Sequence, residues 1–405
     1  MKIVILSAST GGGHMSAANA LKDYVNSNNE TAVVIDAIEY ISPFLNKTVT
    51  EIYEYVATKN PLLWKVMYKS SNKKTVNNII GKTNSLISNK LIPLLESHNP
   101  DVIVTTHPFT TEMISKLKKH KKINTPLVCI MTDYAPHRTW INPYVDDYVV
   151  ANEEMITSMI DMDVQADKIH PFGIPVDDAF FNHQNKKDLL NELKLKDGIP
   201  TILIMAGSCG LANIEKIYND LQSIKIEFQI IIITGKNKKL YENMQNLISG
   251  KKSGIKNKIL AKISEKTPEL KHMKFIKRYQ NKISNNHLFK NTHLIYFTDE
   301  VEKYMNVSDL ILTKPGGLTV SEALACNLPM ALYDAIPGQE EENANFLVSK
   351  NMAIKLNSSE NVAQTIGELL SNPEKLNSMR YNCATFDKSD SLKNIFSLIK
   401  NLAKK

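Results

Sequence analysis

The sequence predicts an α/β protein of two doubly wound halves, each a parallel sheet with helices on its faces. Three features predict this class. Short apolar runs alternate with helical stretches along most of the chain, the pattern of right-handed βαβ units. Glycine-bearing turns follow several of these runs and lead straight into helical stretches. The alternation also breaks once, at Phe172-Gly-Ile-Pro-Val-Asp177 and a polar stretch over 181–199, and then restarts. Two facing Rossmann-like sheets joined by a linker place an interdomain cleft at the carboxyl ends of their strands.

Taken in order, Lys2–Leu6 is an apolar run of the kind buried in a parallel sheet, and Met15–Val25 has helical composition. Ala32–Ile35, Asp101–Thr105, Pro126–Met131 and Asp147–Ala151 are the next strands. Residues 41–98 carry few turn signals, which predicts two or three helices there. The second half restarts with strand Thr201–Met205, turn Gly207-Ser-Cys-Gly210 and a helix. Strand Phe228–Ile233 and turn Thr234-Gly235 follow. Then come strands His293–Phe297 and Leu310–Thr313, turn Lys314-Pro-Gly-Gly317, helix Leu318–Cys326 and strand Met330–Tyr333. The expected domains are therefore 1–180 and 200–375, with linker 181–199 between them. A helical segment, 376–405, is expected to pack back on the first domain.

A chain of 405 residues suits two domains, and 43% hydrophobic with 22% charged residues excludes global disorder. No run approaches the roughly 18–20 apolar residues of a membrane-spanning helix. Ile3–Leu6 is too short for a signal peptide and leads into a glycine turn, so a cytoplasmic protein is expected. Cys129, Cys209, Cys326 and Cys383 have neither disulfide nor zinc spacing, and reduced, buried thiols are the simpler reading. Only Arg138, Arg278 and Arg380 are arginine among 49 basic residues. That bias argues against base-specific nucleic-acid recognition, which favours arginine forks.

The net charge of +7 conceals an uneven distribution. Residues 236–290 hold fifteen Lys/Arg against Glu242, Glu265 and Glu269, a net of +12, leaving the rest of the chain at −5. Residues 41–92 carry eight lysines against Glu51 and Glu54, interleaved with Tyr53, Tyr55, Trp64, Met67 and Tyr68. Lysines with aromatics on helices suit an interfacial surface on an anionic leaflet, and equally an ordinary amphipathic layer.

Four turns carry candidate chemistry. Ser9-Thr-Gly-Gly-Gly-His14 puts Gly12 and Gly13 between a strand and a helix, where backbone N–H groups and the helix start favour an anion. It is neither a Walker loop nor a dinucleotide fingerprint. His14 is there either a general base or a structural residue of a tight turn. Pro315-Gly-Gly317-Leu-Thr319-Val-Ser-Glu322 suits a diphosphate at the helix start, with Glu322 accepting from sugar hydroxyls in the first turn or so. The plainer alternative is a glycine turn and a helix-dipole charge. Gly207-Ser208 begins a third such turn. Pro337-Gly-Gln339-Glu340-Glu-Glu-Asn343 offers side chains that suit a pyranose, or else a solvated acidic helix start.

Taken together with Thr105-Thr-His-Pro108 and Thr132-Asp133-Tyr134-Ala-Pro-His137-Arg-Thr-Trp140, these stretches resemble one family. It comprises the monogalactosyldiacylglycerol synthases and the bacterial processive diacylglycerol glucosyltransferases, inverting and metal-independent transferases of the GT-B fold. The resemblance spans about 1–180 and 200–375. It implies an N-terminal acceptor domain facing the membrane and a C-terminal nucleotide-sugar domain. It implies His14 as base, Asp133 as the alternative proton acceptor, and Gly12, Gly13, His137 and Trp140 on the acceptor side. Gly207, Ser208, Phe297, Thr298, Gly316, Gly317, Leu318, Thr319, Glu322, Gln339 and Glu340 are implied for the donor.

The implied reaction moves glucose or galactose from UDP-glucose or UDP-galactose to diacylglycerol or a glycosyldiacylglycerol. No metal and no cofactor are implied, and the expected location is peripheral, on the cytosolic face of the cell membrane. Alternatives are the same chemistry on a soluble or peptide acceptor, or a non-catalytic basic membrane- or nucleic-acid-binding protein on a transferase fold. Two departures stand out. Gly207-Ser208-Cys209 replaces the family's triple glycine. About 45 extra residues separate Gly235-Lys236-Asn237 from Tyr296-Phe297-Thr298, where the family has its uracil loop.

Overall fold

A computed structural model describes residues 1–9, 12–42, 60–72, 85–205, 214–249, 291–356 and 362–404. Twelve short strands form two six-stranded sheets among these residues. The first contains β1 (Lys2–Ser7), β2 (Thr31–Asp36), β3 (Val102–Thr105), β4 (Leu127–Ile130), β5 (Asp147–Val149) and β6 (Ile169–His170), in spatial order β2-β1-β3-β4-β5-β6. The second contains β7 (Thr201–Met205), β8 (Gln229–Ile233), β9 (Thr292–Ile295), β10 (Leu310–Thr313), β11 (Met330–Leu332) and β12 (Ala353–Lys355), in order β12-β11-β10-β7-β8-β9. The recorded strand pairings are parallel. This is the α/β architecture expected from the alternation of apolar runs and helices.

By packing, the chain divides into one unit of residues 1–183, 314–355 and 378–405 and a second of 184–313 and 356–377. In the first unit, register pairs Leu6 of β1 with Thr105 of β3, and Thr105 with Cys129 of β4. The segments that follow these three strands therefore leave the sheet side by side. The order reverses between β1 and β3, and in open α/β sheets such a switch point is where ligands bind.

The first sheet is buried because its strands alternate between two apolar faces. Ile3, Ile5, Val102, Val104, Val128 and Ile130 point to one side, where they meet Ala18, Leu21 and Val25 of the Gly13–Ser27 helix. The same cluster takes in Leu392, Ile395, Phe396, Ile399 and Leu402, the apolar stripe of the Ser391–Leu402 helix. In the second unit, Ile230, Ile231, Ile232 and Ile233 make β8 apolar on both faces, as a central parallel strand requires.

Some local expectations differ. The strand predicted over His293–Phe297 ends at Ile295, leaving Tyr296 and Phe297 exposed in the following loop. β6 and β12 were not predicted; at two and three residues they carry no periodicity to detect. The linker-like stretch holds a helix, Lys186–Glu192, started by the Asn185 side chain accepting from the Lys187 and Asp188 amides. Of the basic segment 236–290, Lys238–Ile248 is a helix capped by Asn237, and residues 250–290 lie outside the described residues. So do 43–59 and 73–84, with five of the eight lysines noted over 41–92.

Candidate active site

His14 is the second residue of its helix, placed at the carboxyl edge of the first sheet by the turn after β1. Gly12 precedes it at φ 77°, a left-handed conformation that glycine adopts without strain. Gly13 packs toward the Gly317–Ala325 helix: a Cβ there would lie 3.4 Å from Leu318 Cβ. The imidazole Nδ1 lies 2.8 Å from the Thr106 carbonyl oxygen, just beyond β3. It also lies 2.8 Å from the Thr132 hydroxyl, just beyond β4. A carbonyl only accepts, so Nδ1 carries the proton and Nε2 keeps its lone pair. Burial lowers the pKa to about 4, partly opposed by the Thr106 hydrogen bond, so the ring is neutral at pH 7. The His107 ring stands edge-on at 4.6 Å and Trp140 lies at 6.1 Å. His107 accepts from the Phe109 amide, and burial and His14 both disfavour its charged form.

Asp133 follows Thr132 and accepts from the Trp140 indole at 3.2 Å. Burial pushes its carboxyl up to about 6, while hydrogen bonds from Trp140 and Asn343 pull the other way. Trp140 and His137 are buried. His137 Nε2 donates to the Tyr68 carbonyl at 3.1 Å and its ring lies 4.2 Å from the Tyr68 ring; burial lowers its pKa, partly opposed by the Tyr68 hydrogen bond.

Gly316 and Gly317 begin the Gly317–Ala325 helix, and they serve different ends. A Cβ on Gly316 would meet nothing within 4 Å, so a ligand has room at this backbone. A Cβ on Gly317 would fall inside the Thr132 carbonyl oxygen. Leu318 and Thr319 are half-buried in the first turn. Glu322 was expected in or near that turn. The helix starts at Gly317, which puts Glu322 in the second turn. Its carboxyl has no hydrogen-bond partner among the described residues, and burial pushes it up to about 8.

Gly338, at φ 105°, precedes the Gln339–Ser349 helix, and a Cβ on it would lie 2.7 Å from the Tyr68 ring. Glu340 accepts from the Ile336 amide at 2.7 Å. Burial raises its pKa and Asp133 adds to the rise, while Lys314 and the Ile336 bond oppose it. Gln339 is half-buried beside it. Asn343 was expected to offer its amide to a sugar. It is buried instead, with Oδ1 accepting from the Tyr134 amide at 2.8 Å and Nδ2 donating to the Pro315 carbonyl at 3.0 Å.

Phe297 and Thr298 belong to the second unit. Phe297 is exposed under the Lys236 ammonium at 5.0 Å, and Thr298 Oγ1 accepts from the Glu300 amide. Gly207 and Ser208 lie outside the described residues. Among the described residues no cluster of His, Cys, Asp and Glu has the arrangement of a metal site.

Thus His14, Thr106, Thr132, Asp133, Gly317, Glu340 and Asn343 belong to one unit, linked at the edge where β1, β3 and β4 end. Thr106 acts through a backbone carbonyl, which no side-chain pattern reveals. Thr132 lay within a motif but carried no distinguishing signal of its own.

The Pro61–Ser71 helix borders this region. Lys65 pairs with Glu341 at 3.3 Å, and the Arg138 amide donates to Asn72 at 2.9 Å. With Tyr68 turned toward His137 and Gly338, the helix leaves Leu62, Leu63, Val66 and Met67 exposed by 80%, 49%, 62% and 49%. Among the described residues no helix is long and apolar enough to cross a membrane.

Comparison with known proteins agrees with this picture. Residues 14–176 match the monogalactosyldiacylglycerol (MGDG) synthase family, and residues 236–385 match glycosyl transferases group 1. A processive diacylglycerol beta-glucosyltransferase of Bacillus pumilus is 28% identical over 390 residues, covering 94% of this chain and 90% of the relative. One of Staphylococcus carnosus is 29% identical over 376 residues, covering 91% and 84%. In fold, the chain is similar to MurG of Acinetobacter baumannii, with a TM-score of 0.58 at 11% identity and 99% of each chain covered. It is similar also to S. aureus MnaA solved with UDP, with a TM-score of 0.61 at 13% identity, covering 100% of this chain and 98% of that one.

Two six-stranded parallel sheets and two transferase domains define a glycosyltransferase of the GT-B class. An MGDG synthase domain precedes a group 1 glycosyl transferase domain, and over most of its length the chain is similar to processive diacylglycerol beta-glucosyltransferases.

Proposed function

We propose that the protein transfers a hexose from UDP-glucose or UDP-galactose, with inversion and without metal, to 1,2-diacylglycerol or a glycosyldiacylglycerol. It does so on the cytosolic face of the cell membrane. The observation that carries this reading is the neutral imidazole of His14, held by Thr106 and Thr132 beside the start of the Gly317–Ala325 helix. Nε2 takes the proton of the acceptor hydroxyl as its oxygen bonds the anomeric carbon and the bond from that carbon to the diphosphate breaks. The charge developing on UDP meets the amides at the helix start, with Gly316 leaving room for approach. The relatives' names support the acceptor. UDP release from each nucleotide sugar with diacylglycerol vesicles, together with the product mass, tests the reading. Turnover with soluble acceptors alone would overturn it.

Glu322 gives a proton-linked prediction. A carboxyl raised to about 8 is largely protonated at pH 7, and ribose hydroxyls donating to it favour the ionised form. Donor binding at pH 7 should therefore release a proton, and affinity should rise with pH toward 8. The linked stability has the opposite slope: it is full below the usual glutamate value and is lost as pH rises through about 8. Calorimetry in two buffers of different ionisation heat should show proton release from the wild type and none from Glu322→Gln. Equal heats in the two would remove Glu322 from the donor site.

The exposed side of the Pro61–Ser71 helix is the proposed contact with lipid. Burying each exposed Leu or Val contributes about 1.5–3 kcal/mol. The pair Leu62→Glu and Val66→Glu should weaken sedimentation with anionic vesicles at least about tenfold. Wild-type sedimentation by the pair would move the membrane contact elsewhere.

A further inference from the structure

We propose that Thr132 is a positioning residue that sets two parts of the transfer site at once. Its hydroxyl holds the His14 imidazole, and its carbonyl seats the start of the Gly317–Ala325 helix. The proposal rests on the roles given above to His14 and to that helix.

Thr132 follows β4 and is buried. Its Oγ1 lies 2.8 Å from His14 Nδ1, and the single proton there is shared with the Thr106 carbonyl. The ring is thus held from two sides, with Nε2 turned away from both. On its other side, the Thr132 carbonyl occupies the space that any Cβ on Gly317 would need. Glycine at 317 is therefore required by this carbonyl, whereas Gly316, with open space around its missing side chain, is the residue that can admit a ligand.

Neighbouring bonds hold Thr132 between these two duties. The next two residues are tied through Asn343, which accepts from the Tyr134 amide and donates to the Pro315 carbonyl just before the glycines. Tyr134 also pairs its hydroxyl with Ser321 Oγ at 2.8 Å, inside the same helix. The Asp133–Tyr134 segment and the 315–321 segment thus move as one body. A shift in the donor-side turn is transmitted through Thr132 to the imidazole.

The test uses the full chain with labelled histidine, His14 being assigned by the signals that His14→Gln removes. Imidazole 15N spectra should show a proton on Nδ1 of His14 in the wild type. Thr132→Val keeps the shape and the carbonyl but loses the hydroxyl. It should move the His14 resonances and lower kcat about three- to tenfold, with the donor KM within twofold. Thr132→Ser should restore both. Gly317→Ala, which presses on the same carbonyl from the opposite side, should move the His14 resonances although it touches no atom of the ring.

Thr132→Ala serves as the second hydroxyl-free variant if the valine variant melts below assay temperature. His14 resonances left in place by both hydroxyl-free variants, or by Gly317→Ala, would overturn the proposal. Loss of turnover in Thr132→Ser equal to that in Thr132→Val would overturn it as well. A wild type that binds no UDP and releases none would sink the transfer reading instead. The His14 spectra would still decide the role of Thr132.

Discussion

His14→Ala is expected to lower kcat by about 10²–10⁴, with UDP affinity and melting temperature close to wild type. The side chain donates from Nδ1 and is partly exposed, so its loss removes little packing. The pH profile should carry a second mark. Because burial lowers the His14 pKa to about 4, its neutral, base-competent form persists well below the usual histidine range. The acid limb of wild-type kcat should then reflect Asp133, held near 6, or fall lower still, toward His14. A loss under about tenfold in His14→Ala would pass the proton to Asp133. Asp133→Asn would then show the larger loss.

The second large effect is expected from Gly317→Ala. The new Cβ would collide with the Thr132 carbonyl, a backbone group, so the helix start must retreat or the 132–134 segment must move. Overpacking of a well-fitted position costs about 1–3 kcal/mol. Both the melting temperature and the affinity for UDP should drop, the affinity by at least about tenfold if the helix start holds the diphosphate. Gly316→Ala, into open space, should leave the melting temperature unchanged while still weakening UDP. A Gly317→Ala protein with wild-type melting and UDP binding would mean that the turn is free to yield.

The fold was legible because the chemistry of a parallel sheet is local. Lys2–Ser7 and Gln229–Ile233 are apolar runs wherever they are met, and a glycine turn with a following helix marks the carboxyl end of such a strand. The limits were also physical. Two- and three-residue strands such as Ile169–His170 and Ala353–Lys355 exist only because a neighbouring strand pairs with them. His14 stood out through its turn, but what holds it is a carbonyl 92 residues away and a hydroxyl 118 residues away. Asn343 looked like a sugar ligand because asparagine has the same amide whether it meets a hydroxyl or a peptide. Only burial distinguishes the two. Glu322 sits one or two residues deeper in its helix than a start at Leu318 or Thr319 would give, because glycines at a helix start give no sharp boundary.

The packing of Ser391–Leu402 against the first sheet has a consequence for synthesis. Leu392, Ile395, Phe396, Ile399 and Leu402 complete the cluster formed by Ile3, Ile5, Val102, Val104, Val128 and Ile130. A ribosome makes those strands before that helix, with every strand of the second sheet in between. Throughout that interval one face of the first sheet has only the Gly13–Ser27 helix as cover, and apolar surface left open in this way is prone to aggregate. The core of the first sheet is therefore complete only once the Ser391–Leu402 helix docks.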